Sequence, residues 1–300
     1  AQRYKEEITQ EIPEVDAVLG TTSYGDIVKA LNEAQAGNVF QEFRDINELP
    51  EDSGRRVLTT GGHFGYLKIA EGCDKHCTYC IIPSLRGRFR SVPEERLLAQ
   101  AEYMASQGVK ELILVAQETT VYGTDLYGKK TLHILLKKLC QIKGIRWIRV
   151  LYCYPEEIYD ELVQVMKEEK KICNYLDLPI QHASDRILKR MGRRTTRKQL
   201  EDIIAKLRRE IPDIVLRTSL ITGFPGETQE DHEELMEFVD EMEFDRLGVF
   251  TYSPEEGTPA ETMEGQVPEE VKEERRDELM SLQQEISLEK GDERIGQELV

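Results

Sequence analysis

The sequence lacks the features of a membrane or secreted protein. Its 300 residues contain no apolar run near the roughly 18 residues that a membrane span needs. The N-terminal stretch AQRYKEEITQ is too polar for a signal peptide. Three of the six cysteines lie together between Cys73 and Cys80, which is not the spacing of a secreted disulfide framework. These absences predict a soluble protein in the reducing cytoplasm.

Positive charge is also scarce. The chain has 40 lysines and arginines against 57 aspartates and glutamates, which gives a formal net charge of -17. Because binding to nucleic acid usually begins with a surplus of basic residues, this balance disfavours a nucleic acid as the direct substrate. It favours a small molecule or a basic protein as the partner.

Short β-rich runs alternate regularly with segments of helical periodicity in the middle of the chain. The predicted strands are Tyr66–Glu71, Glu111–Gln117, Trp147–Tyr154, Tyr175–Gln181, Val215–Thr222 and Arg246–Tyr252. Six successive βα units predict an α/β fold with a parallel sheet, either open and doubly wound or curled into a barrel. Polar or small residues follow the strands, as in AQETT, YCYP, PIQHAS and ITGFPGET, and the active sites of barrels form at such strand ends. We therefore predict a partial (β/α)6 TIM-like barrel.

The flanks of the predicted barrel, which covers 61–262, have a different character. Residues 1–60 hold one strand pattern, one helix pattern and a charged stretch, which cannot bury a core of their own. We expect them to be the tail of a truncated N-terminal domain plus a linker. Residues 263–290 predict a charged linker helix, and GDERIGQELV at 291–300 predicts the start of a new strand. The chain is thus expected to be truncated at both ends.

The stretch EGCDKHCTYC places Cys73, Cys77 and Cys80 in the spacing C-x3-C-x2-C. A structural zinc site normally takes four protein ligands, and His63 and His76 are the nearest candidates for the fourth. A redox dithiol would use the CTYC pair and leave Cys73 without a role. A four-iron cluster held by three thiolates leaves one iron open to another ligand. The spacing favours the cluster, and a zinc-stapled binding module is the alternative from another class.

The same motif, placed after the first strand of six βα units, resembles that of the radical S-adenosylmethionine (SAM) enzymes. The resemblance implies that Cys73, Cys77 and Cys80 hold a 4Fe-4S cluster whose open iron binds SAM, and that reductive cleavage of SAM yields a 5′-deoxyadenosyl radical. The stretches VAQETTVYG, LPIQHAS, ITGFPGET and VFTYSPEEGTPA further resemble the methylthiotransferases of this family. Those enzymes insert sulfur at an unreactive C–H bond and cap it with a methyl group.

Two branches of methylthiotransferases differ in their substrate. One modifies adenosine in tRNA, and the other modifies an aspartate side chain of a small-subunit ribosomal protein. This chain reads AQETT and RTSLITGFPGET where the RNA branch usually reads GQNVN and TDIIVGFPGET. These stretches and TYSPEEGTPA resemble the ribosomal-protein branch, with tRNA modification as the alternative.

The resemblance also implies flanking domains that this sequence does not contain in full. Methylthiotransferases carry an N-terminal domain with three more cysteines, which hold a second 4Fe-4S cluster, and residues 1–72 contain no cysteine. The second cluster is therefore expected only in a missing N-terminal domain. The enzymes end in a TRAM-like β-barrel, of which residues 291–300 resemble the beginning.

Candidate SAM-binding residues follow the second and fourth predicted strands. Ala116-Gln117-Glu118 occupies the place where many radical SAM enzymes carry Gly-Gly-Glu, which implies that Gln117 and Glu118 contact the methionine amino group. Gln181 and His182 end the fourth strand, where a polar pair is placed to meet the ribose or the substrate. The alternatives are a solvated loop edge for the first pair and a structural, hydrogen-bonded role for His182.

Further candidates lie on the fifth strand and in the turn after it. Arg217 and Ser219 share one face of the strand, and an inward arginine can bind a carboxylate of methionine or of the target aspartate with both of its nitrogens. Gly223 begins the turn GFPG, where the close approach of an adenosine would need glycine. An outward salt bridge and a tight turn are the respective alternatives.

Two basic patches stand out in the acidic chain. They are formed by Arg86, Arg88 and Arg90 after the cysteines and by KRMGRRTTRK at Lys189–Lys198. Such a patch near a cluster is suited to dock an acidic electron donor such as flavodoxin or ferredoxin. Solvated charge is the alternative.

Overall fold

The computed structural model describes residues 1–50 and 57–298 of the chain. Six of the strands in these residues form one parallel sheet, in the order β10-β9-β8-β7-β6-β3. The strands are β1 (Ala17–Leu19), β2 (Phe40–Glu42), β3 (Phe64–Lys68), β4 (Ala70–Glu71), β5 (Arg90–Ser91), β6 (Glu111–Val115), β7 (Trp147–Val150), β8 (Ile172–Asp177), β9 (Val215–Thr222) and β10 (Arg246–Thr251). Each strand of the sheet therefore lies beside the sheet strand that precedes it in the chain.

The predicted succession of βα units is confirmed. The outer strands β3 and β10 do not pair with each other within the described residues, so the sheet stays open instead of closing into a full barrel. This is the architecture expected of a partial (β/α)6 barrel.

The α-helices of the described residues are α1 (Lys5–Glu11), α2 (Ile27–Gln35), α3 (Ile82–Arg86), α4 (Glu94–Ser106), α5 (Thr124–Tyr127), α6 (Leu132–Cys140), α7 (Asp160–Glu168), α8 (Asp185–Arg190), α9 (Arg197–Glu210), α10 (Gln229–Met242) and α11 (Glu269–Asp292). Helices α3 to α10 connect successive strands of the sheet, whereas α1 and α2 precede the sheet and α11 follows it. Both α9 and α10 begin with a capping box, in which Thr196 or Thr228 accepts a hydrogen bond from the third backbone N–H of its helix. Among the described residues, no helix combines the length and the apolar character that crossing a membrane requires.

The core lies where the sheet meets these helices. Leu112 stands opposite Ile148 on the neighbouring strand, and Leu176 stands opposite Leu216, so apolar side chains of adjacent strands fall in register. All four are fully buried in one large apolar cluster. Packing of this kind on a parallel sheet fixes the positions of the strand ends, where the candidate site residues lie.

Several sheet strands end earlier than the sequence predicts. The predictions ran on to Gln117, Tyr154 and Gln181, whereas β6, β7 and β8 end at 115, 150 and 177. Tyr152 has a φ angle of 58°, which interrupts the extended conformation two residues after β7. Gln181, with a φ of 74°, lies beyond β8 and keeps only an isolated bridge to β9.

The flanking segments form only small elements in the described residues. β1 and β2 pair in parallel around α2, and α11 packs against β10 and α10. The predicted linker includes residues 51–56, which lie outside the described residues. Residues 291–298 complete α11 and continue as turns without a strand, and 299–300 again lie outside the described residues.

The turn after β9 shows how tightly α11 is attached. Gly223 has a φ of 70°, and a Cβ atom added to it would overlap Cγ of Lys272 on α11. The Lys272 ammonium continues past this glycine and donates a hydrogen bond to the carbonyl oxygen of Tyr252 at 2.8 Å. The glycine is therefore required by the approach of a helix.

Replacing Gly223 by alanine should destabilise the fold. A left-handed backbone at a residue with a Cβ costs about 1–3 kcal/mol, and the overlap with Lys272 adds to this. Urea unfolding should show a lower midpoint. Gly25→Ala is the matched control, because an added Cβ there meets nothing within 4 Å. Equal midpoints for the two variants would contradict the role assigned to the Lys272 contact.

Candidate active site

A cavity of about 400 Å³ lies at the C-terminal ends of the sheet strands, and we call it the main cavity. Its volume is in the range of small-molecule sites. The residues that line it are Tyr79, Gln117, Tyr152, Tyr154, Asp177, Pro179, Gln181, Arg217, Ser219, Ile221, Phe250, Thr251, Tyr252 and Ser253.

Four of the predicted site residues meet in the main cavity, namely Gln117, Gln181, Arg217 and Ser219. The Oε1 atom of Gln117 is buried and has no hydrogen-bond partner within the described residues, and the same holds for the hydroxyl of Tyr252. Buried polar atoms are nearly always hydrogen-bonded in native proteins. Unpartnered groups on a cavity wall are therefore suited to a polar ligand.

Arg217 is anchored at the wall of the main cavity. Its Nη1 donates to Oδ1 of the buried Asp177 at 2.6 Å, and the backbone N–H of Tyr152 donates to Oδ2 at 3.1 Å. The bond to Asp177 is the only hydrogen bond of the Arg217 side chain within the described residues, and this side chain is 40% exposed. The rest of the guanidinium therefore keeps donors for a ligand carboxylate or phosphate.

Tyr152 and Gln181 bring strained backbone to the main cavity. Positive φ angles at residues other than glycine cost of order 1–3 kcal/mol and persist only where the surroundings fix them. Gln181 is fixed by two ladder hydrogen bonds to β9, one to the carbonyl of Ser219 at 3.0 Å and one from the N–H of Ile221 at 2.8 Å. These bonds offset the strain, and both side chains are directed to the cavity wall.

A second cavity of about 230 Å³ contains the first of the three clustered cysteines. Glu118 lies in this cavity, whereas its neighbour Gln117 lines the main one. The lining residues are Cys73, Asp74, Lys75, Phe89, Glu118, Val121, Thr124, Lys130, Glu157 and Arg194. Gln117 and Glu118, which follow β6 directly after Ala116, thus line two different cavities.

Glu118 is a buried carboxyl group whose charged neighbours are the Lys75 ammonium and the Glu157 carboxylate. Burial raises its pKa to about 7, although hydrogen bonding from Thr120 and the nearby Lys75 ammonium act in the opposite direction. Its Oε2 atom has no hydrogen-bond partner within the described residues. A cationic or hydrogen-bond-donating ligand group in the second cavity would favour the ionised form.

Residues 72–81, which we call the cysteine loop, are fastened to distant parts of the chain through Thr78. The N–H of Thr78 donates to the carbonyl of Met191 at 3.0 Å, and its carbonyl accepts from the N–H of Ala260 at 2.9 Å. Its hydroxyl donates to the carbonyl of Arg190 at 2.8 Å. The loop is therefore held by backbone contacts that do not depend on the cysteines.

The three cysteines of the loop are free thiols, with Cys73 and Cys77 buried and Cys80 half-buried. Burial, with smaller contributions from the charges of Glu118, Cys77 and Cys80, raises the pKa of Cys73 to about 11, and the hydrogen bond from the backbone N–H of Lys75 acts in the opposite direction. Thiolates in such a place need a compensating positive charge, which a bound metal centre supplies. Among the described residues, no three His, Cys, Asp or Glu side chains converge as ligands of a single metal ion.

His182 and Gly223 line neither cavity. His182 is fully buried, and its Nδ1 accepts from the N–H of Ser184 at 3.0 Å while its Nε2 lies 3.6 Å from Oε2 of Glu227. Gly223 is explained by the approach of Lys272. Both residues thus contact other parts of the protein: His182 contacts Ser184 and Glu227, and Gly223 contacts Lys272. Their contact with a cofactor stays a prediction.

The sequence analysis did not identify the aromatic wall of the main cavity. Tyr79 comes from the cysteine loop, Tyr154 from the segment after β7 and Phe250 from β10. The hydroxyl of Tyr154 lies 3.8 Å from Sγ of Cys77. The stretches CTYC and YCYP contain Tyr79 and Tyr154, but an aromatic residue in a strand-like stretch is usually expected to lie in the core.

Comparison with known proteins assigns the class. Residues 67–239 match the Radical SAM superfamily. Two solved structures share the fold: the TsrM methyltransferase from Kitasatospora setae, with a TM-score of 0.54 and 17% identity over 66% of this chain and 38% of that one, and coproporphyrinogen III oxidase HemN from Escherichia coli, with 0.52 and 18% over 73% and 51%. The open sheet and the cysteine loop are thus those of a radical SAM protein.

Curated relatives narrow this class. The ribosomal protein uS12 methylthiotransferase RimO of Lachnoclostridium phytofermentans is 62% identical over 299 residues, which are 100% of this chain and 68% of the relative. Its namesake from Clostridium botulinum Eklund 17B is 53% identical over 95% of this chain and 64% of the relative. The chain belongs to this family of radical SAM methylthiotransferases, and it spans about two thirds of the length of these relatives.

Membership of the family implies a 4Fe-4S cluster and SAM as cofactors. The residues present fit these groups, because three free thiols share one loop and a buried carboxylate with an unpartnered oxygen lies in the cavity of Cys73. The comparison thus favours the cluster over the zinc-stapled alternative.

Replacing Cys73, Cys77 or Cys80 singly by alanine should abolish stable cluster loading, because two thiolates hold a four-iron cluster poorly. Iron and sulfide content and visible absorption after anaerobic reconstitution provide the measurement. Cys173→Ala is the control and should load as the unchanged protein does. Full loading of a variant would remove that cysteine from the ligand set.

Replacing Glu118 by glutamine should weaken SAM binding in a pH-dependent way. Because the pKa of Glu118 is about 7, its carboxylate is largely ionised at pH 8 and largely neutral at pH 6. Loss of a charge-assisted hydrogen bond predicts a roughly 10- to 100-fold higher Kd at pH 8. The ratio of the two Kd values, variant to unchanged protein, should shrink towards pH 6. A Kd ratio near one at both pH values would contradict a role of Glu118 in SAM binding.

Proposed function

We propose that this protein attaches a methylthio group to an aspartate side chain of ribosomal protein uS12. The proposal depends on one observation: the cysteine loop, Glu118 and Arg217 lie in two cavities at the C-terminal ends of the sheet strands. The chain that places them there is 62% identical to a uS12 methylthiotransferase. Residues 61–262 are proposed to form the unit that cleaves SAM.

The residues of the two cavities are proposed to divide the work. Cys73, Cys77 and Cys80 would hold the cluster, which, when bound with SAM, supplies reductive cleavage and hydrogen abstraction. Glu118 accepts hydrogen bonds from the amino group of the methionine moiety, and Gln117 offers its unpartnered Oε1 from the main cavity. Gln181 and Ser219 supply polar contacts on the same wall.

Arg217 is proposed to orient a carboxylate in the main cavity. The Asp177 contact fixes one side of the guanidinium and leaves the other donors for a ligand. The carboxylate belongs either to methionine or to the target aspartate. In both cases the arginine positions the charged group, and the rings of Tyr79 and Tyr154 supply an apolar wall beside it.

The proposed partners follow from the same chemistry. An acidic chain with a net charge of -17 suits a basic ribosomal protein better than an RNA. Cluster reduction needs a one-electron donor such as a flavodoxin or ferredoxin, and ribosomal substrates place the reaction in the cytoplasm. Modification of tRNA adenosine is the alternative, and no contact in the described residues favours it.

A substrate competition tests the proposal. The full-length protein is reconstituted anaerobically and given SAM, sulfide and a one-electron donor with either uS12 or a tRNA transcript. We expect 5′-deoxyadenosine in the reaction and a methylthio mass gain on an aspartate of uS12, located by tandem mass spectrometry. A gain on tRNA adenosine alone would assign the other substrate. An intact cluster without 5′-deoxyadenosine would contradict the radical reaction.

Arg217 provides a further prediction for the same assay. Arg217→Gln should lower the yield of methylthiolated uS12 strongly, because the carboxylate loses its charged partner and Asp177 is left buried with one donor fewer. Measured Kd values for SAM separate the two carboxylates: an unchanged Kd with lost product assigns Arg217 to the aspartate. An unchanged product yield would contradict any role in binding.

A further inference from the structure

Arg193 is a buried cation close to the cysteine loop. Its residue is 7% exposed, and within the described residues it forms no ion pair with a carboxylate. Its one hydrogen bond runs from Nη2 to the carbonyl of Pro179 at 3.0 Å, while Nε and Nη1 are buried without a partner. The Glu156 carboxylate attracts this guanidinium through its charge but makes no hydrogen bond or ion pair with it, so the buried positive charge is only partly compensated.

Two contacts place this charge beside Cys77. The guanidinium carbon of Arg193 lies 4.3 Å from the centre of the Tyr154 ring, and the hydroxyl of the same ring lies 3.8 Å from Sγ of Cys77. The preceding Gly192 packs against the cysteine loop so closely that an added Cβ would come within 2.7 Å of the carbonyl oxygen of His76. Arg193 thus belongs to the segment on which Cys77 rests.

Lys75, the lysine of the cysteine loop, is more fully neutralised than Arg193. It forms ion pairs with both Glu156 and Glu157, and its ammonium lies 5.0 Å from the same Tyr154 ring. The two carboxylates therefore cancel most of the charge of Lys75. Arg193 has no carboxylate in ion-pair contact within the described residues and keeps more of its field for a group bound by Cys77.

We propose that the charge of Arg193 raises the reduction potential of the cluster bound by the cysteine loop. The inference rests on the proposed function, since it takes the loop as the cluster site. A one-electron donor adds one negative charge to the cluster and its thiolates, without any bond being made or broken. A fixed cation in a buried environment stabilises the form with the extra electron, and stacking on Tyr154 holds that cation in place. Arg193 thus acts on the reduction potential through its fixed charge and is not a catalytic residue.

Substitution of Arg193 tests the proposal through the potential itself. Arg193→Gln removes the charge, Arg193→Lys keeps it, and Lys198→Gln removes one charge from an exposed helix position as the matched control. The midpoint potential of each reconstituted protein is measured by a redox titration followed by electron paramagnetic resonance, with iron content as the check on loading. We expect Arg193→Gln to shift to a more negative potential, with Arg193→Lys and Lys198→Gln near the unchanged protein.

Each other outcome is decisive. Equal potentials for Arg193→Gln and the unchanged protein, both fully loaded, would overturn the proposal. Failure of Arg193→Gln alone to fold or load, with Arg193→Lys loading normally, would support the need for a charge at this position. Failure of both variants to fold would make Arg193 a packing residue and overturn it. The potentials are measured without uS12, so a lack of methylthio transfer would sink the proposed function while leaving this result standing.

Discussion

The hydrogen bonds of Thr78 determine the geometry on which the rest of the site depends. Through its N–H, carbonyl and hydroxyl, this one residue joins the cysteine loop to the segment after α8 and to the segment after β10. Those partners lie more than a hundred residues further along the chain. The shape of the loop therefore depends on contacts with residues distant in sequence, which restrict the backbone that carries the three thiols. This restriction reduces the entropy that must be lost when a cluster binds.

Charge around the loop is arranged unevenly in an acidic protein. Lys75 forms ion pairs with two carboxylates and Arg217 forms one with Asp177, whereas Arg193 has no carboxylate in ion-pair contact within the described residues. Burial raises the pKa of Glu118 to about 7, and the hydrogen bond from Thr120 and the charge of Lys75 limit this rise. The cavities also contain the buried carboxyl groups of Glu118 and Asp177, so the site combines charges of both signs. Because solvent screens buried charges weakly, the field of each of these groups acts strongly on a bound ligand.

The sequence allowed the βα order and the parallel sheet to be predicted, because these depend on local periodicity, and the assignment of Cys73, Cys77 and Cys80 as cluster ligands stays a prediction from their spacing within one loop. Gln117, Gln181, Arg217 and Ser219 could be placed at one cavity because the ends of parallel strands meet. The reason for Gly223 could not be predicted, since it is a lysine on a helix some 50 residues later. Arg193 looked like one member of a solvated basic run, and only the fold shows that Tyr154 covers it. Strand ends were placed too far along because single φ angles, as at Tyr152, are not visible in a pattern of apolar residues.

The open edge of the sheet has a consequence for the directions from which the main cavity can be approached. Because β3 and β10 remain unpaired with each other in the described residues, the circle of strands has a gap beside the main cavity instead of a continuous wall. The interior of a closed eight-stranded barrel is a packed core, and ligands reach its active site from the C-terminal face alone. Here the edge strand β10 itself lines the main cavity through Phe250 and Thr251. The missing strands thus leave a lateral direction of approach to the cavity in addition to the one along the strand ends.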